Sequence, residues 1–158
     1  MNHIPDIETY GPRWQCIVML LAALNEIRGG GTKAEIIDYI RDQRWFDIQT
    51  EDRLPYPSNR YTSKEARWIT VIAWARKDSV DRNLMHKGAF NDWQLTTEGL
   101  NTFSQIAKAC REGLANVSRC YLWSRDFKRR MNPAYQCSDA DSRRPMNLYD
   151  DWVVRTDL

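Results

Sequence analysis

The chain has 158 residues, which suits one domain with at most an appendage and is ample for a buried core. Its formal net charge of +2 and pI near 8.4 are too mild to establish a polyanionic partner, so any electrostatic argument rests on where the charges sit. The sequence carries neither an apolar run of about 18 residues nor a basic leader with an apolar region and cleavage site, which argues against a membrane span or secretion. A cytoplasmic setting with free thiols is the expectation.

The four cysteines, Cys16, Cys110, Cys120 and Cys137, match no paired zinc-knuckle spacing, and only His3 and His86 could complete a metal site. Neither a metal nor a cofactor is expected. Cys16 and Cys110 read most simply as small apolar core residues.

A first helix is predicted over residues 12–28. Pro12 stands in its first turn, Trp14, Ile17, Val18, Leu20, Leu21, Leu24 and Ile27 recur at helical spacing, and Gly29, Gly30 and Gly31 close it. Thr32 and Glu35 form a capping box that opens a second helix, with Ile36, Ile37 and Ile40 as its apolar stripe to about Arg44. Residues 45–61 turn polar and contain Pro55 and Pro57, so they read as an exposed loop. This loop is either a plain connector or a way of laying Asn59, Arg60 and Tyr61 beside a phosphate backbone.

Thr62 and Glu65 suggest a second capping box for a third helix running to Val80. On a helical wheel Ala66, Ile69, Ile72, Ala73 and Val80 group on one side, with Lys64, Arg67, Val71 and Trp74 on the other. The first side is expected to face the core, and the second offers two cations with an aromatic and an aliphatic contact. Residues 84–87 and 92–95 then read as two short strands around a turn, and residues 96–110 as a further amphipathic helix.

The stretch 111–131 holds six Arg or Lys against two acids and is the most basic part of the chain. Asn116 can cap a helix from Val117 to Met131 that carries Tyr121, Leu122, Trp123 and Phe127. Residues 132–158 look irregular, with net charge −2 and with Tyr149 and Trp152 as potential anchors. The predicted architecture is mainly α with a small β-hairpin, divided into residues 10–112 and a C-terminal extension, 113–158.

Over residues 14–103 the chain resembles the winged-helix domains at the N-terminus of Mrr-type restriction endonucleases and of other modification-dependent nucleases. The likeness rests on the apolar first helix, the Gly-rich turn into Thr32-Lys33-Ala34-Glu35, the segment from Arg67-Trp68 to Ala73-Trp74-Ala75-Arg76-Lys77-Asp78, and the wing exit Trp93-Gln94-Leu95-Thr96-Thr97-Glu98-Gly99. It implies a winged helix-turn-helix core whose third helix enters the major groove while the β-wing touches the backbone. Some such domains look like readers of methylated DNA, including N6-methyladenine. Carried over residue by residue, it assigns duplex contacts to Lys64, Arg67, Trp68, Val71 and Trp74 on the third helix, and to His86 and Lys87 on the wing.

These assignments agree with what DNA binding needs: cations near phosphates, whose counterions are released, and side chains that reach base edges in the major groove. Burying one methyl contributes only about 0.8 kcal/mol, so a methyl reader must add a shaped aromatic pocket or a penalty for the unmodified base. Arg125, Lys128, Arg129 and Arg130 crowd one helix, either as a solvated end or as a second DNA contact.

Catalysis finds no matching constellation. Pro5-Asp6 is not followed by an acidic-x-Lys strand of the PD-(D/E)xK kind, and Asp126-Phe127-Lys128 falls in a predicted helix. The expectation is therefore a non-catalytic duplex DNA-binding domain, with a nuclease domain or subunit as a further partner. The alternatives are a transcriptional regulator and a protein-interaction module built on Trp68, Trp74 and Trp123.

Overall fold

In α1 (Pro12–Glu26), nine consecutive residues, 16–24, are buried, because the run Cys-Ile-Val-Met-Leu-Leu-Ala-Ala-Leu is apolar on every face of a helix. A helix that is hydrophobic all round belongs inside a protein, and α1 is the axle around which the other elements assemble. The computed structural model describes residues 12–28, 30–46, 53–55, 65–88 and 91–136. Cys137, the tail anchors Tyr149 and Trp152, and His3 lie outside them.

The Gly-rich run is more than a turn. Gly30 and Gly31 form a short strand, β1 (Gly30–Gly31), that pairs antiparallel with β2 (Trp93–Gln94), Gly30 opposite Gln94 and Gly31 opposite Trp93. A Cβ at position 30 would come within 2.8 Å of the Trp93 carbonyl oxygen, so this close pairing requires the missing side chain. The expected hairpin is present as well: Met85 bridges Leu95, and the His86 amide donates to the Gln94 carbonyl at 2.9 Å.

The helix α2 (Lys33–Asp42) begins as predicted, with the Thr32 hydroxyl accepting from the Glu35 amide and the Glu35 carboxylate answering at Thr32, and it buries Ile36, Ile37 and Ile40. By contrast, α3 (Arg67–Asp81) starts four residues later than the Thr62 box predicts. Its N-cap is Ala66, which offers no side-chain acceptor, and the Arg67 amide donates instead to the Leu54 carbonyl at 3.0 Å. Thr62 lies outside the described residues, and Glu65 precedes the helix and pairs with Lys33 at 2.6 Å.

The phase of α3 also departs from the wheel reading. Its buried residues are Trp68, Thr70, Val71, Ile72, Ala75 and Ser79, whereas Ile69, Ala73 and Val80 are only half-buried. Two adjoining apolar stripes compete on this helix, and the one bearing the large Trp68 ring and Val71 wins the contact with α1 because it removes more surface from water.

Next comes α4 (Thr97–Arg111), capped by the Thr96 hydroxyl and buried through Thr102, Phe103, Ile106 and Cys110. Its Gly99 permits close approach to the hairpin, since a Cβ there would meet the Leu84 carbonyl oxygen at 2.0 Å.

The predicted helix 117–131 is broken in two. A 3-10 turn at Val117–Arg119, capped by Asn116, is followed by α5 (Arg125–Met131), capped by Ser124. The intervening residues pair outward: Phe46 bridges Trp123, the Ser124 amide donates to the Trp45 carbonyl at 2.7 Å, and the Trp123 indole donates to the Gln15 carbonyl at 2.9 Å. Ala115, Val117, Cys120, Leu122, Trp123, Phe127 and Met131 belong to the same buried cluster as α1. The boundary expected at residues 112 and 113 therefore runs through one continuous core. None of the described helices is long and apolar enough to cross a membrane.

Candidate nucleic-acid interface

Helix α3 turns few charges outward. Lys77 and Asp81 are its exposed residues, while Arg67, Trp74 and Arg76 are half-buried. The Arg76 guanidinium lies over the Trp93 ring at 5.9 Å from its centroid, which ties the helix to β2. Asp78 gathers two cations, Arg13 at 3.8 Å and Arg82 at 3.1 Å, and Arg82 also covers the Trp14 ring at 4.7 Å. Much of the positive charge near the end of α3 is thus engaged in holding α1, α3 and the following turn together.

The hairpin adjoins this end of α3. Asn83 adopts a left-handed backbone (φ 62°), its carbonyl accepts the Thr96 hydroxyl at 2.7 Å, and its amide group donates to Glu98 at 2.8 Å. This reversal delivers His86 and Lys87, both exposed, to the rim of the small sheet. On the other side of the turn the Asn91 side chain accepts the Lys33 amide at 3.0 Å, which fixes the hairpin to the start of α2.

Between hairpin and α4 an open groove of about 640 Å³ is lined by Asn83, His86, Thr96, Thr97, Glu98, Asn101 and Gln105. None of these is a Trp, Tyr or Phe ring against which a methyl group could rest; the His86 imidazole is the sole ring in the lining.

Several assignments are corrected by burial. Trp68 is 4% exposed and Val71 is fully buried, so neither side chain reaches a ligand. Trp74 is half-buried. Trp123 is 1% exposed, and with Trp68 also inside, the apolar docking surface expected from Trp68, Trp74 and Trp123 does not form.

On α5, Lys128 is 3% exposed, donates to the Ser118 carbonyl at 3.2 Å and lies over the Tyr135 ring at 5.6 Å. It is an internal strut, not a DNA contact. Arg130 is paired with Glu26 at 2.5 Å, and Arg125 and Arg129 are exposed.

Asn59, Arg60, Tyr61 and Lys64 lie outside the described residues. Lys77, which the wheel of α3 does not single out, stands nine residues from Trp68 and so lies across the helix from the core.

Titratable groups inside the molecule serve packing. Burial pushes the Cys110 thiol up to about 12 and raises Cys16 and Cys120 further, which keeps all three protonated and unreactive. Tyr39 is also pushed up to about 12, first by desolvation and then by its hydrogen bond to the Glu26 carboxylate. Among the described residues no three His, Cys, Asp or Glu side chains gather as a metal site.

Comparison of the chain with family models, with curated proteins and with solved structures finds no match.

Proposed function

We propose that this protein binds duplex DNA through a winged helix, with α3 and the hairpin as the contact surface. The observation that carries the reading is the order of elements: helix, β1, two helices, then a hairpin whose second strand takes β1 as its partner. In a winged helix this order leaves the third helix free on one side and sets the wing next to it. Lys77 on α3 and His86 and Lys87 on the hairpin supply exposed cations or hydrogen-bond donors there, and the half-buried Ile69, Ala73 and Trp74 supply apolar contact.

Selection of N6-methyladenine is a narrower form of the proposal. With Trp68 and Val71 in the core, the apolar contact to a methyl group would fall to Trp74, Ile69 and Ala73. Equal affinity for matched modified and unmodified duplexes would remove this form and leave general duplex binding in place.

The test of the main reading is the salt dependence of duplex affinity. Each phosphate contact contributes a slope of about 0.9 in log K against log salt, so Lys77→Gln with Lys87→Gln should flatten the plot by about 1.8. Absence of binding at low salt, or a slope untouched by both substitutions, would sink the proposal.

A further inference from the structure

Residues 45 and 46 run between the beginnings of two helices. The Phe46 ring meets Trp68 in the first turn of α3 at a centroid distance of 6.1 Å, and its backbone bridges Trp123 just before α5. Trp45 accepts the Ser124 amide at 2.7 Å and packs its ring on Phe127 at 4.8 Å. The start of α5 is therefore held one aromatic layer from the start of α3. Near the same end of α3, the Leu54 carbonyl takes the Arg67 amide, which brings exposed Arg53 alongside.

The cations of α5 divide sharply. Lys128 is buried against Ser118 and Tyr135, and Arg130, though exposed, is paired with Glu26. Arg125 and Arg129 stand one turn apart and exposed, with Asp126 as the one exposed acid of the helix. Their helix is anchored by Trp123 and Phe127, which are 1% and 0% exposed. An arginine face on so firmly fixed a helix loses little backbone entropy when it meets a ligand.

We infer that Arg53, Arg125 and Arg129 form a second, sequence-independent contact to the phosphate backbone of the duplex, flanking the start of α3. The inference rests on the duplex-binding reading above and adds a region outside the winged-helix elements. Planar guanidinium groups suit paired phosphate oxygens, and such contacts fix the register of a protein on DNA without reading bases. The segment that looks like an appendage would then extend the footprint along the helix axis.

The experiment is anisotropy titration of a labelled duplex at a series of salt concentrations, comparing wild type, Lys77→Gln with Lys87→Gln, and Arg53→Gln with Arg125→Gln and Arg129→Gln. The triple variant should flatten the slope by about 2.7, equally for duplexes of different sequence, at about 0.9 per lost contact. Its unfolding midpoint should match wild type, because all three side chains are exposed. A slope unchanged in the triple variant but reduced in the Lys77 and Lys87 variant overturns this inference alone; loss of all duplex binding by wild type overturns both readings.

Discussion

Helices α3 and α5 both carry arginines, a lysine and at least one large aromatic residue, yet they use them in opposite ways. In α3 one cation, Lys77, is exposed while the arginines are half-buried; in α5 the arginines are exposed and the lysine is buried. The difference lies in what each stem must cross. The Arg76 stem runs beside Trp93, and the Lys128 stem crosses the 3-10 turn to reach the Ser118 carbonyl, so side-chain position, not charge count, decides which cations a ligand can meet.

The largest test of this comparison concerns whether α5 belongs to the core at all. Trp123 is fully enclosed by Gln15, Phe46 and Phe127, with its ring 4.8 Å from that of Phe127. Trp123→Ala should cost about 3–5 kcal/mol, a large share of the 5–15 kcal/mol typical of a domain. Thermal unfolding would then show a strongly lowered single transition. A variant that keeps the wild-type midpoint in residues 12–111 would mean that α5 is an appendage after all.

A smaller effect sharpens the same point through pH. Cys110 at the end of α4 and Cys120 before α5 are both fully buried, and burial raises both thiols above their ordinary value of 9.0. Below about pH 9 the thiols are protonated in folded and unfolded chains alike, so their contribution is present in full. As pH rises past 9 the unfolded chain loses protons that the folded one retains, and stability falls by about 1.4 kcal/mol per pH unit for each thiol. For Cys110 the loss continues towards about pH 12. Denaturant titrations between about pH 8 and about pH 10 should show this fall, and Cys120→Ala should remove one thiol's share of it. An unaltered slope in that variant would show that residue 120 titrates as an exposed thiol.

What the sequence made legible was local. The apolar run of α1, the Thr32 and Glu35 box and the start of α4 near Thr96 are all encoded within a few residues, and each lies where the sequence places it. The pairing of Gly30 with Gln94 joins residues 64 positions apart and has no signature in two glycines. The phase of α3 was ambiguous because its apolar residues form two stripes, and only contact with α1 chooses between them. For the candidate site, exposure of His86 and Lys87 follows from a short polar turn, whereas burial of Lys128 depends on a carbonyl ten residues away.

The smallest expected effect is the most discriminating between the two helices. Lys128→Met keeps a long flexible stem in the same space and removes a buried charge, at the expense of one donor to Ser118 and the contact with Tyr135. Replacing a buried charge by an apolar group of similar volume is often close to neutral, so the stability change should stay within about 1–2 kcal/mol. Because the ammonium does not reach solvent, duplex affinity and its salt slope should stay at wild-type values, in contrast to removal of Arg125 and Arg129 on the same helix. A slope reduced by about 0.9 in Lys128→Met would place that charge on the DNA and reverse the division of labour argued for α5.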